Sequence, residues 1–145
     1  MTEEQRARME LIKQLANSSP YYKHIGMALV DYDDGISVLE MPFDKTLANL
    51  YGIAHGGAIA SAADSACGLA LGTRLDSGQT GVTIDMRVNY ISPFTGGTLV
   101  ARGELIHKGS TTAVMSARLT QDDRLVAVAM VVHYLKMAKQ DGDQK

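Results

Sequence analysis

The segment from Leu50 to Thr73 constrains the fold most, because it consists almost entirely of Ala, Gly, Ser, Leu and Ile. We predict a long helix from Ala58 to about Thr73, whose small side chains would let a sheet approach and wrap it closely. Asp64 is the only full charge in this segment. A lone carboxylate is costly to bury in apolar surroundings, so its presence there indicates a specific role.

The C-terminal half of the chain has the periodicity of a sheet. Between residues 81 and 91, apolar and polar residues alternate, which predicts a strand with one buried face. The apolar set expected to pack on the helix is Val82, Ile84, Met86, Val88 and Tyr90. Further strands are predicted at 98–107, 111–120 and 125–135. The last is apolar on both faces, as a central strand would be.

The N-terminal half supplies a short helix and a hairpin. Thr2 to Gln5 fits a capping box, and apolar residues at helical spacing follow until Pro20 stops the pattern. Strands are predicted at 25–32 and 36–41 around a turn at 33–35, followed by a loop at 44–51. The element order predicts an α+β fold with one antiparallel sheet in a single domain, 1–145. Residues 1–20 would be an N-terminal helix and linker, and 136–145 a polar tail.

Length and charge narrow the function classes. The chain has 145 residues, 14 basic and 16 acidic, and no basic block, so nucleic acid is not an expected partner. Cys67 is the single cysteine and cannot form an internal disulfide, and residues 2–8 are too polar for a secretory signal, which favours a cytoplasmic location. The apolar stretch 47–71 contains His55 and Asp64, which argues against a membrane span.

His55, Gly56 and Gly57 stand immediately before the predicted helix. Two glycines at a helix start would leave backbone amides bare, where a negative oxygen is readily held. Gly56 and Asp64 are eight residues apart, or about 12 Å along one helix, which is too far to serve one carbonyl. Two such helices lying antiparallel across a two-fold axis would bring Asp64 of one chain near Gly56 of the other. The spacing therefore predicts an obligate dimer.

A known family combines these features. Asn49, His55-Gly56-Gly57 and Asp64 at these intervals, with the stretches 81–86 and 90–93, resemble the hotdog-fold thioesterases of the phenylacetic-acid-degradation subgroup. The resemblance covers about residues 25–135. It implies a sheet of about six strands around a long central helix, and dimers commonly doubled to tetramers. It also implies hydrolysis of acyl-CoA without a metal or added cofactor, coenzyme A being part of the substrate.

The resemblance also implies catalytic roles. The N–H of Gly56 would stabilise the carbonyl oxygen as it becomes negative, and Asp64 would activate water as a general base or attack directly. Asp64 has a structural alternative, a hydrogen bond to a neighbouring hydroxyl such as Ser61 or Ser65. Thr83 matches a residue that holds the attacking water in some relatives, although it also suits an ordinary solvent-facing strand position.

The remaining site residues have supporting roles in the resemblance. Asn49 and His55 would orient the loop, the water or the thioester sulfur; alternatively, they only brace the loop and cap helix amides. Basic residues, including Arg102 and Arg118, could meet coenzyme A phosphates or be solvated strand charges. Substrate contacts are expected from Gly57, Arg87 and the turn residues Lys108, Gly109 and Ser110.

Two other functions are alternatives to thioester hydrolysis. A hotdog hydratase or dehydratase would act on acyl-CoA or acyl-carrier protein, but its Asp followed five positions later by His is not met, because Asp44 is followed by Asn49. A non-catalytic acyl-CoA sensor is a further alternative, against which Asp64 counts.

The other histidines, His24, His107 and His133, have no ligand spacing, so no metal is implied and they are expected to be hydrogen-bonded or surface residues. Cys67 is expected to be a buried structural thiol.

Overall fold

A computed structural model describes residues 2–138 of the chain, which contain three α-helices and six strands. The helices are α1 (Glu3–Ser18), α2 (Pro20–Ile25) and α3 (Gly56–Gly72), with a 3₁₀ turn at Lys45–Leu47. The strands are β1 (Ala28–Asp33), β2 (Ile36–Pro42), β3 (Gln79–Tyr90), β4 (Thr98–Lys108), β5 (Thr112–Gln121) and β6 (Arg124–Met137). They form one antiparallel sheet in the order β1-β2-β4-β5-β6-β3. This confirms the predicted α+β hotdog architecture.

The backbone of α3 lies directly against the sheet. A Cβ atom at Gly103 of β4 would lie only 2.2 Å from the carbonyl oxygen of Ala66 in α3. The same carbonyl accepts a hydrogen bond from the buried hydroxyl of Ser37 on β2, at 2.6 Å. The face of α3 turned to the sheet is made of small residues, which include the buried Ala62, Ala63, Ala66, Cys67 and Ala70. The predicted close approach of sheet and helix is therefore confirmed.

Larger side chains fill the space around this contact. They come from the strands and from the loop before β4, where Phe94 packs edge-on against Phe43 with ring centroids 5.5 Å apart. The largest fully buried residues of the sheet are Leu29, Leu39, Met41, Leu99, Met115, Leu119, Val126 and Val131. The core thus holds α3 in a fixed position, so that its N-terminus and its middle are presented at defined places along the sheet.

The N-terminal helices differ partly from the expectation. The capping box at Thr2 and Gln5 is present, which confirms the predicted start of α1. Pro20, however, does not only end one helix: it occupies the first turn of α2, where its missing N–H costs nothing. Gly26 then ends α2 in the left-handed region, with φ of 72°. The strand predicted at 25–32 was therefore wrong at its start, and β1 begins at Ala28.

The outer edge of β1 is partly covered by the end of α1. The side-chain amide of Asn17 donates to the carbonyl of Leu29 at 3.1 Å and accepts from its N–H at 2.8 Å. In this way the amide satisfies backbone groups that an edge strand otherwise leaves unpaired.

A β-bulge between Thr83 and Asp85 changes which β3 residues face α3. Before the bulge, Thr83 pairs with the buried His133. After the bulge, the residues that face α3 are Met86, Val88 and Tyr90. They pair with the core residues Val131, Ala129 and Ala127. The prediction that one unbroken alternation packs on the helix was therefore wrong at Val82, which pairs with Tyr134 on the outer face, and at Ile84, which lies in the bulge.

The other observed helix and strand boundaries differ from the predicted ones by a few residues. The long helix begins at Gly56, two residues before the prediction, so both glycines belong to its first turn. The predicted loop 44–51 contains the 3₁₀ turn, and the predicted central strand is confirmed by β6, which lies between β5 and β3. Because β6 continues to Met137, the expected tail at 136–145 begins inside a strand; its residues 139–145 lie outside the described residues. No helix within 2–138 has the length and apolar character needed to cross a bilayer.

Candidate active site

The loop before α3 is held by its own backbone and by one side chain. The N–H of Asn49 donates to the carbonyl of Ile53 at 2.7 Å, and its side-chain oxygen accepts from the N–H of Tyr51 at 2.8 Å. The N–H of His55 donates to the carbonyl of Leu47 at 2.7 Å, which ties the end of the loop to its start. Asn49 therefore makes the bracing contact expected as one alternative, and the loop presents His55 and Gly56 in a fixed position.

His55 caps the N-terminus of α3. Its Nδ1 accepts a hydrogen bond from the N–H of Gly57 at 2.8 Å. The expectation of two bare glycine amides was therefore wrong: among the described residues, Gly56 N–H has no partner, whereas Gly57 N–H is occupied. Because Nδ1 acts as an acceptor, the proton of the neutral ring lies on Nε2. The site thus offers one free backbone donor and, next to it, one exposed imidazole N–H.

Tyr90 at the end of β3 completes this end of the site. Its hydroxyl donates to the carbonyl of Gly56 at 2.8 Å, and a Cβ on Gly56 would lie 3.2 Å from its ring. A cavity of about 390 Å³ opens beside them, lined by Asn49, Ile53, Ala54, Gly56, Ile59, Tyr90, Ile91, Ser92 and Pro93. The lining is mostly apolar, which suits an acyl group placed next to the free amide.

Asp64 lies two turns further along α3. Its Oδ1 accepts a hydrogen bond from the Thr83 hydroxyl at 2.8 Å, and Thr83 Oγ1 lies 2.9 Å from His133 Nε2. Oδ2 of Asp64 has no hydrogen-bond partner in the described part of the chain. The hydroxyl that holds this carboxylate is that of Thr83 and not of Ser61 or Ser65, and Ser61 donates instead to the carbonyl of Gly57. Thr83 and Asp64 are thus brought together by the same chain.

His133 is the residue of this cluster that sequence reasoning missed. It is 7% exposed, and its Nδ1 is buried without a hydrogen-bond partner among the described residues. Burial lowers the pKa of His133, and the charge of Asp64 opposes that shift. A histidine among the Val and Leu residues of a central strand was the available signal, but its connection to Thr83 depends on the register between β6 and β3.

The charge of Asp64 also affects the pKa of two other groups, the buried Cys67 and the half-buried Tyr22. Burial raises the pKa of the Cys67 thiol to about 12, with a further contribution from Asp64 one turn away. Burial also raises the pKa of Tyr22, again with a smaller contribution from Asp64. Cys67 is therefore held as a thiol, which agrees with its expected structural role. No group of three or more His, Cys, Asp or Glu side chains placed to hold a metal ion occurs within 2–138.

The two halves of the site lie apart within one chain. Gly56 and Asp64 occupy the same straight element, so eight residues separate them by about 12 Å. Both lie on the part of α3 that borders β3, an edge strand of the sheet. The chain therefore presents a free backbone donor and a carboxylate at two places along one open edge, without bringing them onto one carbonyl.

Besides Gly57 in the first turn of α3, the predicted substrate contacts fall in two places. Lys108 ends β4, and Gly109 and Ser110 follow it in the turn before β5; Lys108 Nζ lies 3.4 Å from the Asp76 carboxylate. This turn lies at the same end of the sheet as Asp64: the carbonyl of Thr111 accepts a hydrogen bond from the N–H of Leu135 on β6, and Leu135 pairs with a β3 residue two positions before Thr83. Arg87, in contrast, pairs with Met130 on the face of β3 turned away from α3.

The sequence around this site matches the model of a known protein family. Residues 51–128 match the sequence profile of the thioesterase superfamily. The chain belongs to this superfamily. It is therefore a thioester hydrolase, and the stretch matched includes Gly56, Asp64 and the whole of α3 and β3.

Similar proteins agree with this assignment. Human acyl-coenzyme A thioesterase 13 is 30% identical over 122 residues, which cover 83% of this chain and 86% of that protein. The crystal structure of a Haemophilus influenzae thioesterase covers 92% of this chain and 94% of its own, with a TM-score of 0.84 at 24% identity. The PaaI protein of the Escherichia coli phenylacetic acid degradation operon has a TM-score of 0.80 at 22% identity, covering 90% and 96%. These two structures share the fold of this chain, and PaaI represents the subgroup that the sequence resembles.

Proposed function

We propose that this thioesterase hydrolyses acyl-CoA to a free carboxylic acid and coenzyme A, at two equivalent sites shared between two copies of the chain. The observation that carries the proposal is the pair of half-sites on α3: a free Gly56 amide at its N-terminus, and Asp64 held by Thr83 beside the exposed edge of β3. The similarity to human acyl-coenzyme A thioesterase 13 supports acyl-CoA as the substrate class.

Each half-site would supply a different part of the chemistry. The Gly56 N–H and the positive end of α3 would bind the thioester oxygen and stabilise its negative charge in the transition state. Oδ2 of Asp64 would take a proton from water as the oxygen of that water attacks the carbonyl carbon. The C–S bond then breaks and the proton passes to the coenzyme A thiolate. The outward Nε2–H of His55 would donate a hydrogen bond to the bound thioester.

The exposed edge of β3 supports the shared site. Ile84, Met86 and Tyr90 are 58%, 38% and 53% exposed, although they lie on a long strand of a packed sheet. Pairing of this edge with its copy around a two-fold axis would bury these side chains and lay the two α3 helices side by side. Asp64 of one copy would then approach Gly56 of the other, as one carbonyl requires. A further doubling to a tetramer is compatible with this arrangement.

The turn at Lys108, Gly109 and Ser110 is the proposed contact for the nucleotide part of coenzyme A. It lies at the Asp64 end of the sheet, and the ammonium group of Lys108 is held near the surface by the Asp76 carboxylate. A Lys108→Ala variant is expected to raise KM for acyl-CoA by about fivefold to tenfold with kcat nearly unchanged, because one phosphate contact is lost.

The main test is a thiol-release assay over short, medium, long and aryl acyl-CoAs, with wild type and Asp64→Asn compared at equal concentration. The variant keeps the shape of the carboxylate and cannot accept the proton of water. We expect turnover to fall at least about a hundredfold. Unchanged turnover would remove Asp64 from the mechanism, and ligand binding without hydrolysis by wild type would favour a sensor.

A second test separates the Gly56 N–H from the space around it. Gly56→Pro deletes the N–H at the first helical position, where proline is well tolerated, and His55 already has φ of −60° and ψ of 136°, which suit a residue before proline. Gly56→Ala is the matched control, because it adds a Cβ near Tyr90 and keeps the N–H. We expect the proline variant to lose about a hundredfold or more relative to the alanine variant.

Mixing two inactive variants tests whether the site is shared. If Gly56→Pro and Asp64→Asn chains are unfolded together and refolded, half of the random dimers are mixed, and each mixed dimer contains one intact shared site. About a quarter of wild-type activity should return. If both groups act within one chain, every site carries a defect and no activity returns.

A further inference from the structure

We propose that His133 is a positioning residue that acts on Asp64 through Thr83, and this inference rests on the proposed role of Asp64. Three elements contribute to the arrangement, because Asp64 lies on α3, Thr83 on β3 and His133 on β6. The two contacts are 2.8 Å from Thr83 Oγ1 to Asp64 Oδ1 and 2.9 Å from Thr83 Oγ1 to His133 Nε2.

The number of protons fixes the direction of both hydrogen bonds. An ionised Asp64 only accepts, so the single hydroxyl proton of Thr83 points to Oδ1. Thr83 Oγ1 can then only accept from His133, whose proton must lie on Nε2. The chain therefore runs from the ring N–H to the hydroxyl and from the hydroxyl to the carboxylate. Each donor strengthens the next, and Thr83 cannot turn its proton toward water without losing a partner.

The ring of His133 is fixed by glycines on the two facing elements. A Cβ at Gly81 of β3 would lie 2.9 Å from Nδ1, and one at Gly68 of α3 would lie 3.4 Å from Cε1. The imidazole therefore occupies a slot that exists because both positions lack a side chain. Close packing on both elements limits movement of the ring, and the hydrogen bond with Thr83 keeps Nε2 on the side of the hydroxyl.

The arrangement costs stability. Nδ1 is buried with no partner, and an unsatisfied buried nitrogen is unfavourable, whereas a leucine would fill the slot without one. A protonated ring would be worse, because Nδ1–H would be a buried donor without an acceptor, which agrees with the burial that lowers the pKa of His133. A neutral ring that donates from Nε2 is the state that fits, and its benefit lies in the fixed Thr83–Asp64 contact.

The consequence concerns the other oxygen of Asp64. With Oδ1 held by a hydroxyl that is itself held, the carboxylate cannot rotate freely, and Oδ2 keeps one direction for the attacking water. His133 touches neither water nor substrate in this arrangement. Its removal should therefore lower kcat and leave KM nearly unchanged, since substrate binding uses other residues.

The test is a double-mutant cycle. His133→Leu removes the N–H, Thr83→Val removes the hydroxyl, and His133→Gln restores an amide N–H at about the position of Nε2. We expect His133→Leu to lower kcat about tenfold with KM within about twofold, and His133→Gln to recover most of the loss. Because His133 acts through Thr83, the double variant should be no slower than Thr83→Val alone. Melting temperatures of all variants serve as the control for folding.

Three outcomes would overturn the inference: wild-type kcat in His133→Leu, a double variant whose losses multiply, or a Gln variant as slow as the Leu variant with the same melting temperature. Heteronuclear NMR of the wild-type ring gives a readout independent of any variant. A proton on Nε2 is expected, and a proton on Nδ1 would contradict the hydrogen-bond direction. Full activity of Asp64→Asn would instead refute the proposed function, so the two failures are distinguishable.

Discussion

The contact between Gly103 and Ala66 makes a sharp prediction for stability. In Gly103→Ala, the new Cβ would lie 2.2 Å from the Ala66 carbonyl oxygen and 2.4 Å from its carbon. Both obstructing atoms belong to the backbone of α3, so no side chain can turn away. The helix and β4 would have to separate by at least about 1.2 Å before the 2.2 Å contact reaches an ordinary van der Waals distance of about 3.4 Å.

The magnitude follows from two losses. Forcing a methyl group into a packed core costs about 1–3 kcal/mol, and an obstruction by backbone belongs at the upper end. Separation also weakens the 2.6 Å hydrogen bond from Ser37 to the same carbonyl, which contributes about 1 kcal/mol more. A total of about 3–4 kcal/mol corresponds to a fall in melting temperature of about 10 °C for a domain of this size.

Gly96→Ala is the matched control, because a Cβ at Gly96 meets nothing within 4 Å. Urea titration and thermal melting of both variants should show a large loss for Gly103→Ala and a change within about 0.5 kcal/mol for Gly96→Ala. If the two variants melt within about 2 °C of each other, the helix does not lie on the sheet as described.

Three further predictions use other contacts. Tyr90→Phe removes the hydroxyl that holds the Gly56 carbonyl and should lower kcat up to about tenfold with little change in melting temperature; a normal kcat would exclude this contact from the active conformation. Cys67, whose pKa burial raises to about 12, should resist alkylation at pH 8 in the folded protein and react once the protein is unfolded in urea, whereas rapid labelling of folded protein would contradict its burial. Because burial lowers the pKa of His133 below its ordinary 6.5, the unfolded chain binds the proton first. The contribution of neutral His133 to the free energy of unfolding should therefore be complete above about pH 7 and decrease as the pH falls below about 6.5. His133→Gln should remove this part of the pH dependence.

The local features of the site could be predicted because they lie close together in the sequence. His55, Gly56 and Gly57 precede a helix of small residues, and Asp64 is its one charge, so the positions of donor and carboxylate follow from helical geometry alone. The capping by His55 was less accessible, because a ring nitrogen competes for one of two equivalent amides, and the sequence does not tell which one stays free.

Non-local features were missed for physical reasons. The bulge at 83–85 inserts one residue into β3 and exchanges the inward and outward positions, but the alternation of apolar and polar residues continues through it. The sequence pattern therefore does not reveal the bulge. The link from His133 to Thr83 depends on that bulge and on pairing between strands fifty residues apart in the chain. The helix α2 was missed because six residues are too few for a period to appear, and Pro20 was taken as a stop when it is a start.

The Asn17 side chain at the β1 edge has a consequence for growth of the assembly. By mimicking a neighbouring strand at Leu29, it removes a place where another chain could add. If β3 pairs with its copy, the joined sheet ends on both sides at a β1 edge whose Leu29 is capped by the Asn17 amide, so growth through sheet edges stops at a pair. Asn17→Ala would reopen both ends, and the same chain would then face the open-ended strand addition that leads to fibres.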